Sequence, residues 1–202
     1  MAQRATSAQR RHQIAEAVWR LAGRGGLESV TLRQVAAEAD VPVRLLQYHF
    51  GTRQQLLVGA LQILNTEAEQ QAQTRLAALA NPTTRDLVRG IVMELLPLDE
   101  ERRSRHLIYA AYFNKLLTDP ELQPFARDAE PDLANVIAGL IQQGQQDGSV
   151  PAAMDPGLEA ALLVAIAEGL QGQVLLGQIP PADAVSLIDH QLDRVVPTAG
   201  NP

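Results

Sequence analysis

The chain has 202 residues, 46% of them hydrophobic, a net charge of −6 at pH 7 and no cysteine. The length suffices for one ordinary domain of ~150 residues plus a smaller one, and the lack of cysteine excludes disulfide frameworks, thiolate metal sites and cysteine nucleophiles. The acidic average conceals an asymmetry: residues 1–60 carry eight arginines against Glu16, Glu28, Glu38 and Asp40, a balance of +4, whereas the remainder balances at −10, so only the amino-terminal segment suits a polyphosphate.

In chain order, the opening MAQRATSAQRRHQIAEA is basic but has no apolar core or small-residue cleavage site, so no secretory signal is expected. Helical periodicity dominates thereafter, and the expectation is an all-α protein of nine or ten helices. Breaks fall at Gly23 to Gly26, Asp40 to Pro42, Gly51, Asn81-Pro82, Pro97 to Asp99, Asp119-Pro120, Glu130-Pro131, Gly148 to Pro156 and Pro180-Pro181. The first helix, from about Ser7 to Gly23, buries Ile14, Val18 and Leu21 with Trp19 at the edge of that stripe. A short second helix opens at Thr31, whose hydroxyl can cap free N–H groups while Gln34 reaches back as in a capping box; Leu32, Val35 and Ala36 face inward. Pro42 suits the first turn of a third helix carrying Val43 to Phe50. A long helix then runs from near Thr52 to about Ala80. The most apolar run, Ala160 to Ala167, lies between Glu159 and Glu168 and is far shorter than the ~20 residues of a membrane span, so a soluble, cytoplasmic protein is expected.

The stretch Thr31 to Leu57, TLRQVAAEADVPVRLLQYHFGTRQQLL, has a helix-turn-helix layout: Ala36 and Val41 make the inter-helix contacts, and Leu46 and Phe50 anchor the second helix. With Thr31, Val35-Ala36, Ala39, Val41, Leu46, the Tyr48-His49-Phe50 triplet and Arg53 followed by Leu56 and Leu57, it resembles the TetR family of transcriptional regulators. The close match covers about a quarter of the chain. The resemblance implies a DNA-binding domain over residues 1–52 and a ligand-binding and dimerisation domain over 53–202. The sequence departs from the family pattern at Asp40, Pro42, Leu45 and Gln47, so the family's base preference does not transfer. On the groove helix, Val43, Arg44 and Gln47 are candidates to face base edges, arginine pairing with guanine and glutamine with adenine. The resemblance implies phosphate contacts for Tyr48 and His49, which the end of a groove helix also favours. Thr31 and Thr52 sit where helix N-termini present N–H groups to phosphate, and Arg53 adds a charge there. Arg4, Arg10 and Arg11 form a candidate amino-terminal arm.

An enzyme or metal protein finds no support. The histidines at 12, 49, 106 and 190 lie far apart without metal-ligand spacing, and no phosphate-cradling glycine loop or G-x-S-x-G turn occurs, so neither metal nor cofactor is expected. A helix-turn-helix scaffold reused as a protein adaptor remains the alternative to a DNA-binding repressor, separable by the salt dependence of duplex binding.

A homodimer is expected through the last two helices, roughly 156–177 and 181–196. The first is apolar nearly all round between Ala160 and Leu170, and its Ala161, Ala165, Gly169 and Gly172 permit close approach. The second carries the stripe Val185, Ile188, Leu192 and Val195. The effector site is expected on residues 105–117, where Arg105, Tyr109, Tyr112, Phe113 and Leu116 share one broad face, opposite Ile91, Met93 and Leu95 and closed by Glu168; two tyrosines and a phenylalanine at this spacing are more often core than pocket. By resemblance, a small molecule bound there shifts the long linking helix and changes the distance between the two recognition helices. The chain most resembles the branch with choline-responsive betaine regulators, yet three tyrosines, three phenylalanines and one tryptophan leave little for an aromatic cage, and an amphipathic or aromatic effector fits equally.

Overall fold

The computed structural model describes residues 6–120, 122 and 133–197; Arg4 and the Glu130-Pro131 break lie outside the described residues. Among the described residues the chain forms nine α-helices and no strand: α1 (Ser7–Gly25), α2 (Leu32–Glu38), α3 (Val43–Phe50), α4 (Arg53–Ala77), α5 (Thr84–Glu94), α6 (Glu100–Thr118), α7 (Leu133–Asp147), α8 (Pro156–Leu175) and α9 (Pro181–Val195), with a 3₁₀ turn over Leu27–Ser29. The caps explain the boundaries. Thr6 and Gln9 form a reciprocal capping box on α1, Thr83 and Asp86 another on α5, and Asp155 accepts from the N–H groups of Gly157 and Leu158 ahead of Pro156 at the start of α8. At α2 the expected box is only half formed: Thr31 accepts from the Gln34 N–H, but the Gln34 side chain takes the Thr31 hydroxyl proton at 2.7 Å instead of a backbone N–H. Asp40, in the turn between α2 and α3, has φ +50°, a left-handed conformation that short polar side chains tolerate better than most.

The helices group into two compact units, the described parts of 1–69 with 107–129 and of 70–106 with 130–202. Helices α4 and α6 each contribute to both. In the first unit Ile14, Val18, Val35, Leu46, Leu56 and Leu57 are fully buried, joined by Ile108 and Tyr112 of α6. Trp19, at the edge of this core, donates its indole N–H to the Ala60 carbonyl at 3.2 Å.

In the second unit Val88, Val92, Leu96, Ile137, Ile141, Leu163, Ile188 and Leu192 form the core. Here the expected dimer stripe is corrected. Ile188, Leu192 and Val195 are at most 1% exposed and Val185 is half-buried against them, so they serve this chain's own interior. Helix α9 is turned that way by α5: Arg89 grips Asp189 through two bonds of 2.6 and 3.0 Å, and Arg85 reaches Asp193 at 2.7 Å. What α9 shows outward is Leu187, His190 and Arg194. The membrane-length argument is also corrected. The eight-residue run belongs to α8, whose 20 residues are long and apolar enough to cross a membrane, and only 28% of its most apolar window is buried within the chain.

A charged cluster organises the second unit where α4, α5 and α6 contribute to it. The Glu94 carboxylate receives Arg75 at 3.1 Å, Arg102 at 3.3 Å and Arg105 at 3.2 Å, and Arg105 also donates to Gln71 at 2.8 Å. Glu94 is largely buried and Arg105 is 5% exposed, so removing Glu94 would leave the buried Arg105 charge without its ion pair. Beside it His106 is 4% exposed, with its Nε2 3.2 Å from the Glu94 carbonyl. Burial pushes the imidazole down from 6.5 to about 4, and the neighbouring Arg105 and Arg102 charges push the same way. The unfolded chain therefore binds a proton near the ordinary histidine value that the folded chain refuses until lower pH. Stability is expected to be full above that value and to fall with pH through the window below it, by up to ~1.4 kcal/mol per pH unit. Urea denaturation of His106→Leu and the parent between about pH 7 and pH 4.5 tests this: the variant's profile should be the flatter of the two.

Candidate nucleic-acid interface

The recognition surface follows from how the first unit holds α3. Leu46 and Phe50 point inward, and the ring of Phe50 is sandwiched. The Arg11 guanidinium lies 4.5 Å from its centroid, and a Cβ on Gly59 of α4 would stand 2.8 Å from two ring carbons. Gly59 is thus the residue that lets α4 close on Phe50, a role its position in an uninterrupted helical pattern did not reveal. Arg11 also donates to the His49 carbonyl at 2.9 Å, tying the last turn of α3 to α1. Arg10 and Arg11 therefore belong to α1, not to a loose arm, and Arg10 is bonded to Gln13 at 2.8 Å.

With its inner face fixed in this way, α3 turns Arg44, Gln47 and Tyr48 to solvent, and Tyr48 is 83% exposed. His49 is half-buried and stacks edge-on against Tyr48 at 5.2 Å. Val43 is half-buried against the core, which removes most of it from any groove. Thr31 is exposed at the start of α2, and Thr52 is exposed ahead of α4, where its N–H donates to Gln55 Oε1 at 2.9 Å and its hydroxyl accepts the Gln55 N–H.

Arg53 departs from its expected role. Its guanidinium donates to the carbonyls of Val30 and Leu27, both at 2.6 Å, and so braces the start of α4 against the segment before α2. Arg20 and Arg24 are held by Glu38, whose carboxyl these two arginines keep below the usual range. Among the described arginines of the first sixty residues, Arg33 and Arg44 alone carry neither an ion pair nor a hydrogen bond to another residue. Arg33 is exposed on α2, two residues beyond Thr31. Sequence reasoning passed over it because the sequence does not show which arginines the fold already engages.

The residues of the expected effector face divide between the two units. Tyr112 is 2% exposed and donates its hydroxyl to the Leu57 carbonyl at 2.8 Å, a core residue whose ionisation burial pushes up. Tyr109 and Leu116 pack half-buried on the same core, while Phe113 is 64% exposed. Met93 is buried in the second unit's core, Arg105 is bound to Glu94, and Glu168 is exposed on α8. The second unit does hold an open cleft of about 420 Å³ walled by Leu98, Val174, Ile179 and Pro181, with Glu100 and Arg103 also lining it.

A short braced helix pair that turns arginine, glutamine and tyrosine outward from the basic first sixty residues defines a helix-turn-helix DNA-binding protein. Residues 14–60 match the model of bacterial regulatory proteins of the tetR family, and residues 84–197 that of the BetI-type transcriptional repressor C-terminal domain. The chain belongs to the TetR family; it is a DNA-binding transcriptional regulator and not an enzyme. It is 24% identical over 187 residues to the HTH-type transcriptional regulator PksA of Bacillus subtilis (strain 168), spanning 93% of this chain and 86% of that one. A TetR-family regulator from Rhodococcus sp. superposes with a TM-score of 0.79 at 28% identity, over 93% of this chain and 98% of its own. A transcriptional regulator from Saccharomonospora viridis, solved in complex with choline, shares the fold with a TM-score of 0.79 at 23% identity, over 92% and 96% of the two chains.

Two substitutions test how the recognition surface is held. Gly59→Ala should cost ~1–3 kcal/mol by overpacking Phe50. Arg53→Ala should cost a similar ~1.5–3 kcal/mol through its lost charge-assisted bonds. Both are read as a lowered midpoint in urea.

Proposed function

We propose that this regulator is a repressor that binds operator DNA as a homodimer, with residues 1–52 reading DNA and residues 53–202 carrying the effector site and the dimer contact. The observation that carries the DNA-reading assignment is the exposed outer face of α3, where Arg44 has no partner among the described residues and Gln47 lies one turn away. Arg44 and Gln47 are the base readers in this reading. Tyr48, His49, Thr31, Thr52 and Arg33 contact phosphates, and Arg53 positions without contact.

The dimer is supported by α8, whose outward surface shows Leu158, Leu162 and Leu176 at 66%, 51% and 74% exposure beside exposed Ala161, Ala165, Gly169 and Gly172. Glu168 on that surface would be costly in lipid, which favours a second copy as its cover. Two copies place the operator half-sites one helical turn (~34–36 Å) or a multiple apart. Work of this kind belongs in the cytoplasm, where the chromosome is.

For the effector, the distribution of aromatic residues supports an aliphatic ligand. Residues 70–106 and 130–202 contain no phenylalanine, tyrosine or tryptophan. The second unit therefore offers no aromatic face to a quaternary ammonium, and the choline held by the Saccharomonospora regulator is a poor model for this chain's ligand. The effector is an aliphatic molecule with one polar end, held in the 420 Å³ cleft, a volume within the range of ligand pockets. Because α4 and α6 run through both units, a ligand that prefers one arrangement of their second-unit ends shifts the population of the other.

Two measurements test these assignments. In salt titrations on operator and unrelated duplexes, Arg33→Gln should weaken both alike and lower the slope of log K against log salt by about 1, while Arg44→Ala should relax preference at particular base pairs. An unchanged slope removes Arg33 from the interface. In thermal-shift assays choline should leave Tm unchanged, whereas medium-chain aliphatic acids or amines raise it and release the operator. Ile179→Trp should abolish that response while operator affinity is retained; a retained response shows the cleft is not the site.

A further inference from the structure

Residues 70–106 and 130–202 contain seven arginines. Five of them hold a carboxylate of this chain: Arg75, Arg102 and Arg105 on Glu94, Arg85 on Asp193 and Arg89 on Asp189. Arg194 stands exposed in water. Arg103 is half-buried, yet it makes no ion pair among the described residues. Its Nη1 donates to the Leu175 carbonyl at 3.3 Å, and its Nε and Nη2 have no acceptor among the described residues. That unused edge is the one with which Arg89 grips both oxygens of Asp189, at 2.6 and 3.0 Å. It is a planar fork whose spacing matches a carboxylate. A cation partly withdrawn from water carries a desolvation cost that a counter-ion would offset.

Arg103 lines the cleft described above, beside Leu98, Val174 and Ile179. The two carboxylates at that cleft do not answer it. Asp99 is taken by Arg102, whose backbone N–H and Nε donate to its two oxygens, each at 2.8 Å. Glu100 is exposed and makes no ion pair with Arg103, although the two are three residues apart on α6. We infer that the polar end of the effector is a carboxylate, held side-on by Nε and Nη2 of Arg103 with the aliphatic chain against Leu98, Val174 and Ile179. The inference rests on the cleft reading above and names the class of its ligand, a monocarboxylic acid. An amine would bring a second cation to the guanidinium, and Glu100 could draw it only outward into water, where charge is screened. An alcohol would offer one neutral oxygen where a carboxylate offers two charged ones. Nη1 keeps its bond to Leu175, the last residue of α8, so the bound acid joins α6 to that end of α8.

Octanoate, octylamine and octanol share one chain and differ at the polar end, which makes them the probes. At neutral pH the acid is ionised and the amine protonated. In titration calorimetry on the full chain, octanoate should bind roughly 10- to 100-fold more tightly than octanol, the effect of charge-assisted bonds, and octylamine no better than octanol. Arg103→Gln should erase the advantage of octanoate while binding octanol as the parent does. Arg103→Glu should invert the order in favour of octylamine. Arg103 has only one bond of 3.3 Å within the described chain, so both variants should keep the parent's helix content. If Arg103→Gln fails to fold, Arg103→Lys, which keeps the charge and loses the fork, should bind octanoate more weakly than the parent. Octanoate bound equally by the parent and Arg103→Gln but lost in Ile179→Trp overturns the carboxylate assignment and leaves the cleft standing. Octanoate bound undiminished by Ile179→Trp overturns both.

Discussion

The recognition surface depends on one brace. Arg53 places its guanidinium on two backbone carbonyls, of Val30 and Leu27, in the segment that precedes α2. The Leu27 carbonyl also accepts the Val30 N–H at 3.1 Å, whereas the Val30 carbonyl lies outside regular helix and would otherwise look to water for a partner. The same bonds fix where α4 begins relative to α2, and Phe50, pressed between Gly59 and Arg11, fixes where α3 ends. With both ends of the helix-turn-helix set by side chains that face inward, the outer residues of α3 have no structural duty. Their freedom is what suits them to a groove, where the donors must already be in place when DNA arrives.

Charge is distributed by the same logic. Most of the basic residues that make the first sixty residues look suited to DNA are engaged within the fold: Arg20 and Arg24 on Glu38, Arg11 on a carbonyl and a ring, Arg53 on two carbonyls. The net charge of the segment still attracts a polyanion at long range, because a paired arginine keeps its charge. Short-range contacts, however, need donors that are not already committed. Arg33 and Arg44 meet that condition, and they lie on the two helices of the motif.

The second unit is built differently. Its core is aliphatic throughout, with no aromatic side chain to supply quadrupolar recognition or large rigid area. Specific orientation comes instead from charge: three arginines of α4 and α6 converge on Glu94 of α5, and two arginines of α5 hold α9 by Asp189 and Asp193. The pairs on Glu94 are largely buried, and parting them would leave a buried charge unpaired, whereas those on Asp189 and Asp193 are partly open to water and weaker.

The helices and their ends are written locally in the chain, because caps, prolines and positive-φ positions act at short range: Thr6, Thr31, Pro42, Gly51, Thr83 and Asp155 work through neighbours a few residues away. The sequence also specifies the helix-turn-helix and the exposure of Arg44, Gln47 and Tyr48, since the anchors Leu46 and Phe50 leave the opposite face outward. What each buried stripe is buried against depends instead on long-range packing. Ile188, Leu192 and Val195 look the same in sequence whether they meet their own core or another subunit, and Tyr112 at helical spacing looks the same as core or as pocket. Helical periodicity reports that a face leaves water, not what replaces the water. That replacement is fixed by contacts distant in the chain, such as Arg89 with Asp189 or Tyr112 with Leu57. The role of Arg53 was hidden for the same reason: its partners lie 23 and 26 residues away and are backbone carbonyls, which no side-chain pattern encodes.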